Sequence, residues 1–402
     1  MDMNRDINVE TLQPILKRGR DVWDQINMPK REFLQRVAKI RKAMKKEGID
    51  VLLLYGVGVN DYGNQCYVSN FVTKLTAGAL VVLPRKGELT LFFEGSSREL
   101  KLGQRVTWVD DTRSSLAGIF SSTGSLAGDC VNYLQEKNFI PSKIGFVGLR
   151  EFMSYRELER LVEGTKQCEI VDAGHIIKSM RTIKSRRECD QIRRASRMVS
   201  NGFGTIPGMM LANMDEKSLE TKIDWAIRLQ GAEDVRILLA RPRDATWSLR
   251  PAEERPISPG DTIIVYLAAS FERYWAEGIR TFVAENASFA EASDAQANKL
   301  YQQITGAMKP GQSISQFCKE AINEIHLNDA VGIQGHGLPG YGLGNGIGLS
   351  LQEFPFISDE ETGAFAEGMC FAVRIALRDQ KIGAIMMGST VCLSEEGPEV
   401  LT

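Results

Sequence analysis

The first part of the chain alternates short apolar strands with amphipathic helical stretches, and that alternation requires an α/β unit. REFLQRVAKIRKAMKKEG, Arg31–Gly48, puts Phe33, Leu34, Val37, Ile40 and Met44 on one helical face and stops at Gly48. VLLLY, Val51–Tyr55, follows as a buried strand, then a loop containing Asn60, Asp61 and Gly63. GALVVLP and ELTLFFE form a hairpin across Arg85-Lys86-Gly87. KIGFVGL, Lys143–Leu149, and CEIVDAG, Cys168–Gly174, supply further strands.

A second amphipathic helix, SRRECDQIRRASRMVSNGF, turns Ile192, Ala195, Met198, Val199 and Phe203 inward. Its charge-rich entry, KSMRTIKSRRE, marks a new domain. At 402 residues the chain is long for one core. The expected division is 1–180 and 181–402. The second part predicts two more helical stretches and then a strand-rich end. TIIVYLAASFERYWAEGIRTFVA, Thr262–Ala284, reads as two strands joined by a short turn. Leu300–His326 is helical on either side of KPGQSIS, and two late strands close the sequence.

Composition narrows the function classes. Hydrophobic and charged contents of 43% and 25% are those of a globular protein. A net charge of −2 with no basic stripe argues against nucleic acid or an anionic membrane as partner. No secretory signal and no bilayer-length apolar run are visible, so a cytoplasmic location is expected. The seven cysteines are scattered, odd in number and free of CxxC pairs, which predicts reduced, buried thiols.

Four stretches carry chemistry when taken together: GDTIIVYLAASFERYWAEGIRT, GLGNGIGLSLQEFP, EGMCFAVR and TVCLSEEGPEVLT. Their order and spacing resemble the creatinase/prolidase/methionine aminopeptidase superfamily. The resemblance implies an α+β fold: a pita-bread C-terminal domain preceded by an α/β creatinase-type N-terminal domain. It also implies a homodimer, which a monomer mass in light scattering would contradict. In metal-dependent members, Asp, His and Glu ligands hold divalent cations and a bridging hydroxide.

Carried over one position at a time, the resemblance puts Tyr266 and Glu277 where the two Asp ligands stand. Asn345 takes the place of the His ligand and Arg374 that of the first Glu. Gly388 falls on the last Glu if no gap intervenes. A neutral phenol, an amide and a permanent guanidinium are poor company for metal cations. The expectation is therefore no metal and no cofactor, with Arg374 supplying positive charge and Glu277 its partner. Glu353 matches the Glu of the family's HE pair, and Gln352 replaces the histidine before it. Glu353 either pins its strand by hydrogen bonds or moves protons.

Metal-free creatinase keeps an enzyme reading open. Its histidine, however, lies upstream of the GD strand, where RPRDATWSLRPAEERPISPGD has none. Of the three histidines, His336 is the one in the glycine-rich approach to Asn345. It is either a loop histidine bonded to backbone or a base. The first reading is a metal-independent hydrolase or lyase acting on a small polar, nitrogen-containing molecule. Glu353, Glu277 or His336 would move protons; Arg374, Tyr266, Asn345, Gln352, Arg280 and Trp247 would bind substrate. The alternative is a catalytically inactive pita-bread protein with a binding or scaffold role, for which histone-chaperone domains of this fold are the precedent.

Overall fold

The computed structural model describes residues 23–58, 61–72, 77–118, 121–244, 247–285, 287–292, 295–327 and 343–402. The chain divides into two compact units, Met1–Arg181 and Thr182–Thr402.

In the first unit, α1 (Lys30–Glu47) leads into β1 (Val51–Val57) and α2 (Gly63–Ser69). Strands β2 (Gly78–Pro84) and β3 (Thr90–Glu94) form the expected antiparallel hairpin. Next come α3 (Ser97–Val106), β4 (Asp111–Ser115), α4 (Leu126–Glu136) and β5 (Lys143–Val147). The unit closes with α5 (Leu149–Phe152), α6 (Tyr155–Gly164), β6 (Glu169–Asp172) and α7 (Gly174–Thr182). The sheet runs β4-β3-β2-β1-β5-β6, antiparallel at β1–β2 and β2–β3 and parallel elsewhere. Every residue of β1, β2 and β3 is buried, as apolar runs in a covered sheet require.

Two expectations fail here. Leu34 of α1 is exposed, unlike Phe33, Val37, Ile40 and Met44 of the expected face. Gly63 opens a helix rather than lying in a loop, and its N–H donates to the Asp61 carboxylate at 2.7 Å. The helix is short and almost wholly buried, so packing rather than propensity forms it. Asn60 lies outside the described residues.

The second unit begins with α8 (Arg186–Thr205), where Ser185 and Glu188 form a capping box. The five residues expected inward on it are all buried. A single described helix follows before the strands, α9 (Glu216–Arg228). Then come β7 (Asp234–Ala240), β8 (Thr262–Phe271), β9 (Tyr274–Ala284) and β10 (Phe289–Glu291). Helices α10 (Ala295–Gly306) and α11 (Ile314–Leu327) precede the short strands β11 (Gly344–Gly346) and β12 (Glu353–Ile357). Strands β13 (Cys370–Asp379), β14 (Gly383–Ser394) and β15 (Gly397–Val400) end the chain. The main path of the sheet is β12-β11-β13-β14-β9-β8-β7.

Alternation along the strands separates two environments. Ile263, Val265, Leu267 and Ala269 of β8 join a core with Val199 and Phe203 of α8. Phe371, Val373, Ile375 and Leu377 of β13 join a second core with α10 and α11. The intervening residues, Tyr266 on β8 and Arg374 on β13 among them, therefore face the opposite side.

Two close approaches shape that side. A Cβ on Gly344 would stand 1.9 Å from the carbonyl oxygen of Ala372, so only glycine lets β11 lie against β13. Cys370 and Cys392 are direct register partners on β13 and β14 and form a disulfide. The expectation of uniformly reduced thiols is corrected at this pair, because antiparallel pairing brings together residues far apart in sequence.

Candidate active site

The site is built from four strands of the second unit. β8 contributes Tyr266, β9 Glu277, β11 Asn345 and β13 Arg374. Arg374 Nε donates to Glu277 Oε1 at 2.7 Å, and Arg374 Nη2 stands 2.6 Å from the same oxygen. Nη2 also donates to Asn345 Oδ1 at 3.0 Å. The Tyr266 hydroxyl donates to Glu277 Oε2 at 2.9 Å. Both carboxylate oxygens of Glu277 are thus held, and Asn345 is fixed in turn by donating to the carbonyls of Gly346 and Leu351.

The network is deep. Glu277 and Arg374 side chains are 2% and 6% exposed. Burial, and then the Glu277 charge, push the Tyr266 hydroxyl well above its usual pKa, so it stays a neutral donor. The Glu277 backbone is pinned as well: its N–H donates to Thr390 Oγ1, and its carbonyl accepts from Thr390 and Thr402 hydroxyls. Gly388 is the register partner of both Arg374 and Ile279. A Cβ there would lie 3.0 Å from Ile279 Cγ1, so the neighbouring strand fills that space.

Tyr266, Glu277 and Arg374 line a cavity of about 520 Å³. Its walls are largely apolar, from Ile237, Leu238, Leu249, Ile279 and Leu351, and Gln352 lines it too, exposed and without a hydrogen-bond partner among the described residues. Arg374 Nη1 likewise makes no hydrogen bond among the described residues. Arg236 borders the same space, paired with Asp234 at 2.9 Å.

Two expected site residues stand elsewhere, one packs beside the cavity wall, and one is not described. Arg280 is three residues beyond Glu277 on β9, which turns it to the other face of the sheet. There it pairs with Glu291 at 3.4 Å and lies over the Phe203 ring. Glu353 is not part of the cavity. Its Oε2 is 3.1 Å from Lys184 Nζ, with side chains 5% and 2% exposed, and its Oε1 accepts from the Ser350 N–H. Trp247 packs with Tyr266 and Leu249 against Ile264, Ile279 and Met386. His336 lies outside the described residues.

Two residues escaped the sequence reading. Lys184 is the counter-ion of Glu353. Glu220 of α9 lines the cavity without a hydrogen-bond or ion-pair partner among the described residues. Burial and the nearby Asp224 charge raise its pKa. Its spacing on an otherwise polar helix face gave no signal.

The donor set does not suit a pair of divalent cations. Among the five positions that the resemblance assigns to metal ligands there is one carboxylate, and a guanidinium is bonded to it.

The sequence model of metallopeptidase family M24 matches residues 190–395, which is more than half of the chain. The chain belongs to metallopeptidase family M24. The creatinase/prolidase N-terminal domain matches residues 36–183, in agreement with the expected superfamily and its two-domain α/β and pita-bread arrangement. Among relatives of this M24 protein, the Xaa-Pro dipeptidase of Pyrococcus furiosus is 22% identical over 262 residues, 64% of this chain and 73% of that protein. The prolidase structure from Pyrococcus horikoshii superposes with a TM-score of 0.70 at 20% identity, covering 92% of this chain and 98% of that one. The N-terminal domain of the FACT complex subunit SPT16 from chickpea superposes at 0.62 and 14% identity, covering 97% and 96%. Among the described residues, no helix is long and apolar enough to cross a membrane.

Proposed function

We propose that this M24 protein is a metal-independent hydrolase or lyase acting on a small polar, nitrogen-containing substrate, and not a metallopeptidase. The observation that carries the reading is the Arg374 guanidinium bonded to Glu277 and Asn345 at the floor of the cavity. Charge that metals supply in dipeptidases is supplied here by a side chain that cannot lose its proton. Nη1 of Arg374 is left to bind a substrate carboxylate or to steady negative charge developing on it. Tyr266 and Gln352 position the bound molecule. Glu220, the cavity carboxyl with no partner among the described residues and a raised pKa, is the proton-transfer candidate. Glu277 and Glu353 are held by Arg374 and Lys184, so they act as positioning residues.

That same saturation of Glu277 and Glu353 favours one second reading, a pocket that binds a small molecule without turnover. The fold is also used by a FACT complex subunit, so fold alone does not separate the two.

The test is a substrate panel with the purified chain. Xaa-Pro dipeptides with added manganese or cobalt are expected to give no turnover. A small amide, amidine or guanidino carboxylate is expected to turn over equally with and without a chelator. Chelator-sensitive Xaa-Pro hydrolysis at on the order of 1 per second would overturn the proposal. Saturable binding across the whole panel with no turnover would decide for the second reading.

A further inference from the structure

The cavity extends well beyond the Arg374 network. Leu238, Tyr266, Ile279, Gly388 and Arg374 are successive register partners on β7, β8, β9, β14 and β13, so they form one row across the sheet. The Arg374 guanidinium reaches along that row to Glu277 of β9. Two strand spacings, about 10 Å, then separate it from β7. Among the described residues β7 ends the main path of the sheet, and its consecutive residues Ile237 and Leu238 face opposite sides. Both line the cavity, which therefore continues past Leu238 and round the sheet edge. Helix α9 lies on the far side of that edge, where its Leu219, Ile223 and Ile227 share a core with Ile237. Glu220 of α9 closes that end of the cavity.

The two ends differ in charge. At the floor Arg374 and Glu277 compensate one another, so Arg374 Nη1 offers hydrogen bonds without surplus charge. At the far end Arg236 is matched by Asp234 at 2.9 Å. Glu220 has no cation of its own among the described residues. Lys217, one turn before it, is 3.3 Å from Glu254, and Arg228 is joined to Asp224 at 2.6 Å. The cavity thus carries one uncompensated negative charge. Between the ends its walls are chiefly Leu238, Leu249, Ile279 and Leu351, against which a counter-charge attracts Glu220 more strongly than in water.

We propose that the ligand of this cavity is a long zwitterion, an ω-amino or ω-guanidino acid, whose cationic nitrogen pairs with Glu220 and whose carboxylate accepts from Arg374 Nη1. The inference rests on the substrate reading given above and narrows its class. Three extended residues, which are nine chain atoms, span about 10 Å, and that sets the length of the ligand at roughly nine atoms from nitrogen to carboxyl carbon. Its middle is apolar, because amides laid against these walls lose water without gaining partners. Glu220 is then the specificity-determining residue. A shorter nitrogenous acid reaches one end of the cavity and leaves the other unmet.

The experiment is calorimetric titration of the full chain at neutral pH. Binding is read without turnover, so its failure is separate from a failure of the substrate panel above. The probes are 8-aminooctanoate, octanoate, 4-aminobutanoate and triglycine. The wild type should bind 8-aminooctanoate at least about tenfold more tightly than octanoate, which lacks the nitrogen, and than 4-aminobutanoate, which lacks the length. Triglycine has the same span with amides in its middle and should bind more weakly than 8-aminooctanoate. In Glu220→Gln the preference for 8-aminooctanoate over octanoate should fall to within about twofold. Glu220→Ala replaces the glutamine variant if that one melts early. No binding of 8-aminooctanoate, or a preference for it that survives in the Glu220 variant, would overturn the site. Equal affinity for 4-aminobutanoate would overturn the span, and equal affinity for triglycine the apolar middle.

Discussion

Replacing Arg374 by alanine is expected to lower the unfolding free energy by about 3–5 kcal/mol. The guanidinium is 6% exposed and holds Glu277, which is 2% exposed. Its removal leaves a buried carboxylate with the Tyr266 hydroxyl as its one remaining side-chain donor among the described residues. It also strips Asn345 Oδ1 of its donor. The loss should therefore exceed what a surface ion pair gives, roughly 0–1 kcal/mol. Denaturant unfolding of both proteins measures it. Replacing both partners, Arg374→Met with Glu277→Leu, should recover most of the loss, because the destabilisation comes from an uncompensated charge. A change below about 1 kcal/mol in the single variant would mean that water reaches the pair.

The second large effect is expected at Lys184. Lys184→Met removes the counter-ion of Glu353 where both side chains are 5% exposed or less. The expected loss is again about 3–5 kcal/mol, reduced to the extent that the Ser350 N–H continues to serve Glu353 Oε1. Adding Glu353→Gln should return much of it, and the coupling energy from the full cycle measures the pair directly. Because Glu353 does not line the cavity, ligand affinity of Lys184→Met, measured below its melting range, should change far less than that of Arg374→Ala. Equal loss of affinity in both would place Glu353 in substrate contact after all.

The parts of the site that were legible in the sequence share a cause. Glu277 and Arg374 lie on long strands whose motifs fix their register, and opposite charges in a cleft have strong reason to meet. Arg280 was misplaced although its strand was identified: three residues from Glu277 is an odd step, and the pleat turns it to the opposite face, over the Phe203 ring. Lys184 was invisible for another reason. It is separated from Glu353 by 169 residues and sits in a basic run where a buried lysine looks like its solvated neighbours. Long-range pairing of this kind leaves no local pattern. The short helix Gly63–Ser69 and the Cys370–Cys392 pair were missed likewise, since tertiary packing and strand register decide them.

The central claim is that a guanidinium has taken the place of metal in this M24 site. Elemental analysis tests it most directly. The chain is purified in manganese- or cobalt-containing buffer, desalted, and its bound metal counted per protomer. The account predicts far less than one equivalent, unchanged in Arg374→Glu, since one restored carboxylate leaves Tyr266, Asn345 and Gly388 without ligand character. A content near two metals per chain in the wild type would contradict it.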